Sequence, residues 1–279
     1  MWRTHRLAWQ IFKRSLTRVA YMSTNRERSK PLGYLMSNKL VEEAPYHPGY
    51  EGAVFGRPMS EVIRERIREG QTRYFANDNI SAFINGEEEI DRLVDEVADK
   101  FQDVLRSLVI DTNNDHNTQD TARRVAKMFI RETFRGRYAN PPKVTAFPNA
   151  GNYDELYVTG PITIRSTCAH HFQNIVGRCY IGVFPGRNVI GLSKFNRVVD
   201  WIASRPQIQE EMTIQIADAI ERETEAEGVA VLMQAEHHCM THRGVKEHES
   251  DMTTSVMRGK FRTDASLKQE FFSIVGKMK

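Results

Sequence analysis

Apolar residues recur at Ile90, Leu93, Val94, Val97, Phe101, Val104, Leu105 and Leu108. This i, i+3, i+4, i+7 spacing predicts an amphipathic helix of about six turns. Asn85, with Glu88 three residues on, supplies the polar ends of an N-terminal cap. A second helix is predicted from about Thr118 to Arg135, burying Ala122, Val125, Ala126, Phe129 and Ile130, with Gly136 as its stop. Upstream the pattern is weaker. Ser60 caps a short helix through Glu69 that carries Val62, Ile63 and Ile67 on one face. The Pro-, Gly- and Tyr-rich run from Ala44 to Pro58 reads as loop.

Beyond Pro141 and Pro142 the period changes. "DELYVTGPITIRSTC" and "IVGRCYIGVF" are rich in β-branched and aromatic residues and predict strands. Helices follow at Ser193–Ser204 and about Gln207–Ala226, with Pro206 between them and Gly228 ending the second. "GVAVLMQAEHHCM" and "TTSVMRGKF" predict two more strands. Helices, strands, two helices and strands in that order give an α+β class with an antiparallel sheet. The chain divides into an N-terminal extension, 1–84, partly disordered or loop-rich with its short helix near 60–69, and a globular domain, 85–279. Within the domain lie a helical region at 86–136 and a sheet-bearing catalytic part at 143–279.

Composition narrows the function classes. The net charge of +3 gives no strong field for nucleic acid. No apolar run approaches the ~20 residues that span a bilayer. The cysteines are Cys168, Cys179 and Cys239. An odd, sparse set excludes a secreted disulfide scaffold and points to a reducing compartment, the cytoplasm. Arg3, Arg6, Lys13, Arg14, Arg18 and Arg26 precede the first acid, Glu27. That profile resembles a mitochondrial transit peptide. It equally suits a basic arm, or an upstream start with Met22 or Met36 as the true first residue. Charges interrupt every apolar stretch, which excludes a Sec signal.

The chemistry concentrates in two places. In "STCAHHF", Cys168 and His171 stand at a Cys-x-x-His spacing that lets both side chains converge across one turn. In "GVAVLMQAEHHCM", strand alternation puts Val229, Val231, Met233, Ala235, His237 and Cys239 on one face. An apolar row that ends in His-x-Cys belongs at the rim of a pocket. Two thiolates and one imidazole leave a tetrahedral zinc ion one open position, the pattern of a catalytic site. Spacing alone leaves ordinary buried cysteines and loop histidines as the alternative. Cys179, mid-strand, reads as a small core residue. His238 points to the opposite strand face and reads as structural.

These stretches, with "TARRVAKMF", "YDELYVTGPITIRSTCAHHF", "VGRCYIGVFPG", "VIGLSKFNRVVDWIASRPQIQE", "AEHHCMTHRGV" and "TTSVMRGKFRTD", resemble the GTP cyclohydrolase I family from about Gly86 to Val275. The resemblance implies that Cys168, His171 and Cys239 hold Zn²⁺ and that His170 and His237 are catalytic. It places Gln209 and Glu210 at guanine, and Ser193, Lys194, Arg197 and Arg243 at the triphosphate of GTP. Each residue type suits its role. Zinc lowers the pKa of a bound water to about 7. A histidine transfers protons near neutral pH. A carboxylate accepts from both N1–H and the 2-amino group of guanine. Arginine forks match phosphate oxygens.

The implied fold is the tunnelling fold, in which α+β units join their sheets around a ring. The implied assembly is a ring-stacked homodecamer with active sites between subunits. The implied product is 7,8-dihydroneopterin triphosphate, for folate, pterin or 7-deazaguanine synthesis. One position departs: the family reads Cys-Glu-His-His where this chain has Ala169. Two rivals follow from the same residues. One is a nitrile reductase of the same fold, which the three-ligand set opposes. The other is a zinc- and GTP-binding paralogue without turnover.

Overall fold

The computed structural model describes residues 56–278. The basic leader, the alternative starts and most of the Pro/Gly-rich run lie outside the described residues.

The helical layer begins at α1 (Met59–Glu69). It continues through α2 (Glu87–Ser107), α3 (Thr121–Lys127), a widened helical turn at Met128–Thr133 and α4 (Arg135–Tyr138). Met59, Ile63 and Ile67 share one buried cluster with Ile90, Leu93, Val94, Ala126 and Ile130. Residues 59–84, placed in the extension by sequence pattern, therefore pack with the long helix. The stripe of α2 is buried over its first half and at Leu105, whereas Val104 and Leu108 are exposed. Gly86, not Asn85, stands at the helix cap, and the Glu89 carboxylate accepts from the Asn85 amide at 2.7 Å. Arg66 of α1 grips the same carboxylate and, as its chief cause, holds Glu89 down at about 2.

The second predicted helix is not continuous. At Met128–Thr133 the Phe134 amide reaches back five residues to the Phe129 carbonyl, 2.9 Å away. That wider turn stacks Phe129 on Phe134 at 4.8 Å. Gly136 is not a stop but a contact. A Cβ there would sit 1.8 Å from the Trp201 carbonyl oxygen, so only glycine allows the approach of α4 to the next layer.

The sheet holds β2 (Tyr157–Cys168), β3 (Asn174–Phe184), β5 (Pro206–Gln207), β6 (Gly228–His237) and β7 (Met252–Gly259), in the order β5-β2-β3-β6-β7. All pairings are antiparallel except the short β2–β5 pair, which sets Cys168 beside Gln207. A small separate pair joins β1 (Ala146–Pro148) to β4 (Asn188–Ile190). Helices α5 (Leu192–Ala203) and α6 (Gln209–Thr224) cover one sheet face. There Val229, Val231 and Met233 meet Phe195, Val199, Met212, Ile216 and Ile220. The α6 helix ends on Glu225 in the left-handed region, φ 45°, and Gly228 opens the next strand rather than closing the helix.

Strand alternation ends earlier than the sequence predicts. After His237 the chain closes a helical turn, α7 (His238–Thr241), so Cys239 lies on a turn and not on the strand face. A further element was unforeseen. After the turn α8 (Lys260–Thr263), α9 (Ala265–Lys277) is capped by Asp264, whose carboxylate accepts from the amides of Ser266 and Leu267. It covers the other sheet face, packing Leu267, Phe271 and Val275 on Tyr180, Ala230 and Leu232. The run Val229–Met233, apolar on both faces of β6, was the available signal for a cover on each side.

Candidate metal centre and active site

The β2–β3 hairpin loop builds the first half of the site. The Cys168 amide donates to the Gln173 carbonyl at 2.8 Å, and the Phe172 amide to the Cys168 carbonyl at 2.9 Å. Phe172 takes the left-handed region, φ 53°, to close so tight a turn. Its ring, half exposed, lies edge-on to Phe134 at 5.3 Å and tilted to Phe129 at 5.8 Å. The widened turn of the helical layer thus clamps the loop from outside. Sequence reasoning passed over Phe172; an aromatic directly after the His-His pair was the available signal.

Cys239 arrives from α7. The Sγ atoms of Cys168 and Cys239 and a ring nitrogen of His171 lie within 4.8 Å of one another. Ala235 and Ile175 form the apolar floor beneath Cys168 and Cys239. Burial and the neighbouring Cys168 push the Cys239 thiol up. Two sulfurs this close ionise together only when a positive charge neutralises them, so the donor set calls for a cation. With Cys168 buried, Cys239 half-buried and His171 exposed, two sulfurs and one imidazole suit zinc with a free coordination position. Cys179, by contrast, is fully buried in the sheet core, its thiol pushed up to about 12 by burial, and takes no part.

β5 then delivers the next residues. The Ala169 amide donates to the Gln207 carbonyl at 3.1 Å, tying the metal loop to the start of α6. Gln209, 0% exposed, spends its amide nitrogen on the Met252 carbonyl at 2.9 Å, the Thr254 hydroxyl at 3.1 Å and the Met233 carbonyl at 3.3 Å. Two carbonyl acceptors fix which end of the amide is which. Its Oε1 therefore accepts, and His237 Nε2 donates to it at 2.8 Å. That hydrogen bond sets the His237 tautomer and leaves Nδ1 free. Burial lowers the His237 pKa, with neighbouring Glu210 opposing the shift. Gln209 thus faces the histidine, within the sheet–helix packing, rather than solvent. Glu210, one residue on, is exposed at the first turn of α6. His170 is exposed beside His171, ring centroids 6.4 Å apart.

This arrangement can bind a soft or borderline cation, hold a neutral imidazole beside it and present a carboxylate nearby. The model of a family described as GTP cyclohydrolase I matches residues 97–276. The chain belongs to the GTP cyclohydrolase I family. Curated relatives named GTP cyclohydrolase 1 agree. The protein from Flavobacterium johnsoniae is 39% identical over 193 residues, covering 69% of this chain and 84% of that protein. Those from Enterobacter sp. (strain 638) and Mannheimia succiniciproducens are 39% and 40% identical, covering 64% and 65% of this chain and 81% and 83% of theirs. Among solved structures, an archaeosine synthase QueF-Like in the apo form covers 43% of this chain and 97% of that one at 12% identity and a TM-score of 0.30, too low to carry any weight.

The α+β architecture, an antiparallel sheet packed with helices, is that of the GTP cyclohydrolase I family, the tunnelling fold expected from sequence. The anion-binding candidates on α5 are not bonded to the metal set. Ser193 and Arg197 are exposed on α5, and the Lys194 ammonium donates to the Lys143 carbonyl at 2.9 Å. Among the described residues no hydrogen bond or ion pair joins the three to Cys168, His171, His237 or Cys239. Arg243 is exposed just past α7, near enough to Cys239 to favour its thiolate.

One buried cation braces the layers. Arg205 stacks on Trp201 at 3.9 Å and donates to the carbonyls of Gly136 and Asn77 and to Gln215 Oε1. Burial lowers its pKa to about 10, so it stays charged at neutral pH. It fixes the α5–β5 corner from which α6 and Gln209 depart.

Proposed function

We propose that this chain hydrolyses GTP at guanine C8, releasing formate and yielding 7,8-dihydroneopterin triphosphate, with zinc held by Cys168, His171 and Cys239. Family membership supports GTP cyclohydrolysis. The observation that carries the finer reading is the meeting of two sulfurs and an imidazole within 4.8 Å, next to a histidine oriented by a buried glutamine. Zinc bound there supplies an acidified water at neutral pH.

The chain's own residues do the rest. His237, neutral through burial, exchanges a proton with the purine ring at Nδ1, while Gln209 keeps the ring from turning. His170, exposed beside the ligand His171, serves as the second proton carrier. Glu210 accepts from N1–H and the 2-amino group of guanine, which adenine cannot match. Ser193, Lys194, Arg197 and Arg243 take the triphosphate, the arginines as forks and the lysine as a point charge. Ala169, where the family carries glutamate, gives the loop only a backbone bond to Gln207, so the three ligands do not depend on it.

The assembly belongs to the same proposal. A ring-stacked homodecamer would let α5 of one copy complete the metal half of another. The product would feed folate, pterin or 7-deazaguanine synthesis. Three free thiols suit a reducing compartment such as the cytoplasm.

The test is elemental analysis of the purified full chain alongside incubation with GTP. We expect about one zinc per chain, formate release and a pterin fluorescence signal after oxidation. GTP binding without formate would make the chain a non-catalytic paralogue. NADPH oxidation with a nitrile substrate would make it a reductase.

A further inference from the structure

A second set of metal donors lies on the same stretch of chain, and the GTP-hydrolysing site makes no use of it. We propose that Glu236, His238 and His242 form a site for a divalent transition-metal ion separate from the thiolate centre. The two sets share no ligand. One oxygen of Glu236 and one ring nitrogen each of His238 and His242 lie within 4.8 Å of one another.

The local fold makes this set. Glu236 is the last residue but one of β6, paired with Val176 of β3. The β6–β7 ladder ends at Ala235 and Met252, so β7 does not flank Glu236. The helical turn of α7 then closes through the His242 amide, which donates to the His238 carbonyl at 3.0 Å. An i, i+4 pair on one turn faces the same way. The two imidazoles accordingly lie 4.4 Å apart at 20°. Had β6 continued straight through Cys239, as alternation predicts, His238 and His242 would not meet.

The donors are uncommitted. Glu236 Oε1 and His238 Nε2 are 3.8 Å apart, too far for a hydrogen bond. Among the described residues neither side chain has a hydrogen bond. Among the described residues the one hydrogen-bond partner of the His242 ring is the hydroxyl of buried Thr241, 3.3 Å from Nδ1. If Nδ1–H donates to that hydroxyl, the Nε2 lone pair is left for a metal, the usual arrangement behind a ligating histidine. A tetrahedral ion with bonds of about 2.0–2.1 Å holds its ligands roughly 3.4 Å apart. The side chains of His238 and Glu236, 21% and 41% exposed, have the freedom to close that gap by rotation.

The donor set selects the ion. Two imidazoles and one carboxylate favour Zn²⁺, Co²⁺, Ni²⁺ or Cu²⁺ over Mg²⁺ or Ca²⁺. Three protein ligands leave at least one position open. The site also sets a charge beside Arg243: an ion of +2 against one carboxylate adds net positive potential there. That addition is independent of whether the thiolate centre turns GTP over.

The experiment is a titration of the metal-stripped full chain with Co²⁺ under anaerobic conditions. Thiolate ligation gives an intense near-ultraviolet charge-transfer band, and nitrogen–oxygen ligation gives weak visible bands alone. We expect the charge-transfer band to saturate at one equivalent, and a second, micromolar equivalent to add visible absorption without it. His238→Ala/His242→Ala should lose the second equivalent and keep the first. His242→Ala alone, at an exposed position, should weaken the second at least about tenfold, since a ligand matters no less than its supporting shell. If the double variant fails to fold, that single variant and Glu236→Gln carry the test. Saturation at one equivalent, a second event only at millimolar Co²⁺, or a second event unchanged in the His242 and Glu236 variants overturns the site. In Cys239→Ser chains the charge-transfer band should fall while the visible second event remains, so failure of the thiolate centre reads separately.

Discussion

The metal loop and the N-terminal end of α5 are both candidate parts of one site, yet they are built differently. The loop is wired on every side: Phe172 into the aromatic cluster, Ala169 to β5, His237 through Gln209 to β7. Among the described residues Ser193, Lys194 and Arg197 of α5 have no hydrogen bond or ion pair to that network. The difference follows from what each part must do. Metal and proton transfer demand atoms held within fractions of an ångström. Anion binding needs accumulated charge, which tolerates mobile side chains and can be supplied by another copy.

The largest effect should come from breaking the wired half at its candidate metal ligands. Cys239→Ser should abolish both zinc retention and GTP turnover, because one thiolate and one imidazole no longer hold the ion. A metal-replete, active Cys239→Ser chain would remove that residue from the ligand set. Next, His237→Ala should keep zinc content and thermal stability while lowering kcat by about 10²-fold or more. Full activity would take His237 out of the chemistry.

Much of the wired half was legible in the sequence, and the reason is physical. Cys-x-x-His lets two donors converge where the chain turns between them, as it does here, and the apolar row Val229, Val231, Met233 carries the strand to the site's edge. Yet Cys239 does not reach Cys168 and His171 along the strand face, as alternation predicts. The turn α7 swings Cys239 round, and the same turn brings His238 onto His242. Helix ends were misread where tertiary contact outranked local signals. Gly136 reads as a stop but permits contact with Trp201, and Glu225 ends α6 in a conformation costly for most side chains. The helix α9 was missed although β6 is apolar on both sides over Val229–Met233, which calls for a cover on each. Gln209 reads as a guanine contact by resemblance; only the coordinates reveal that its amide faces inward.

Gln209 sharpens the comparison. If it positions His237, Gln209→Ala should lower kcat by about tenfold with KM for GTP little changed. The ¹⁵N spectrum of His237 should show the Nε2–H form giving way to a mixture of tautomers. A raised KM with kcat intact would instead return Gln209 to guanine binding. Unsatisfied partners at Met252 and Thr254 should also cost roughly 1–3 kcal/mol of stability, measured by denaturant unfolding.

The smallest effect should come from the unwired half, and it discriminates best between one-chain and two-chain sites. Arg197→Ala removes one exposed cation among several. It should raise KM for GTP by about fivefold, worth ~1 kcal/mol, leave kcat nearly unchanged and flatten the salt dependence of KM. Co-assembly with His237→Ala chains then decides whose α5 serves which metal. A site pairing the metal half of an Arg197→Ala chain with α5 of a His237→Ala chain has every group intact. Mixed oligomers should therefore show a component of turnover with wild-type KM, which neither parent has. If only the raised KM appears in the mixture, both halves of the site come from the same chain.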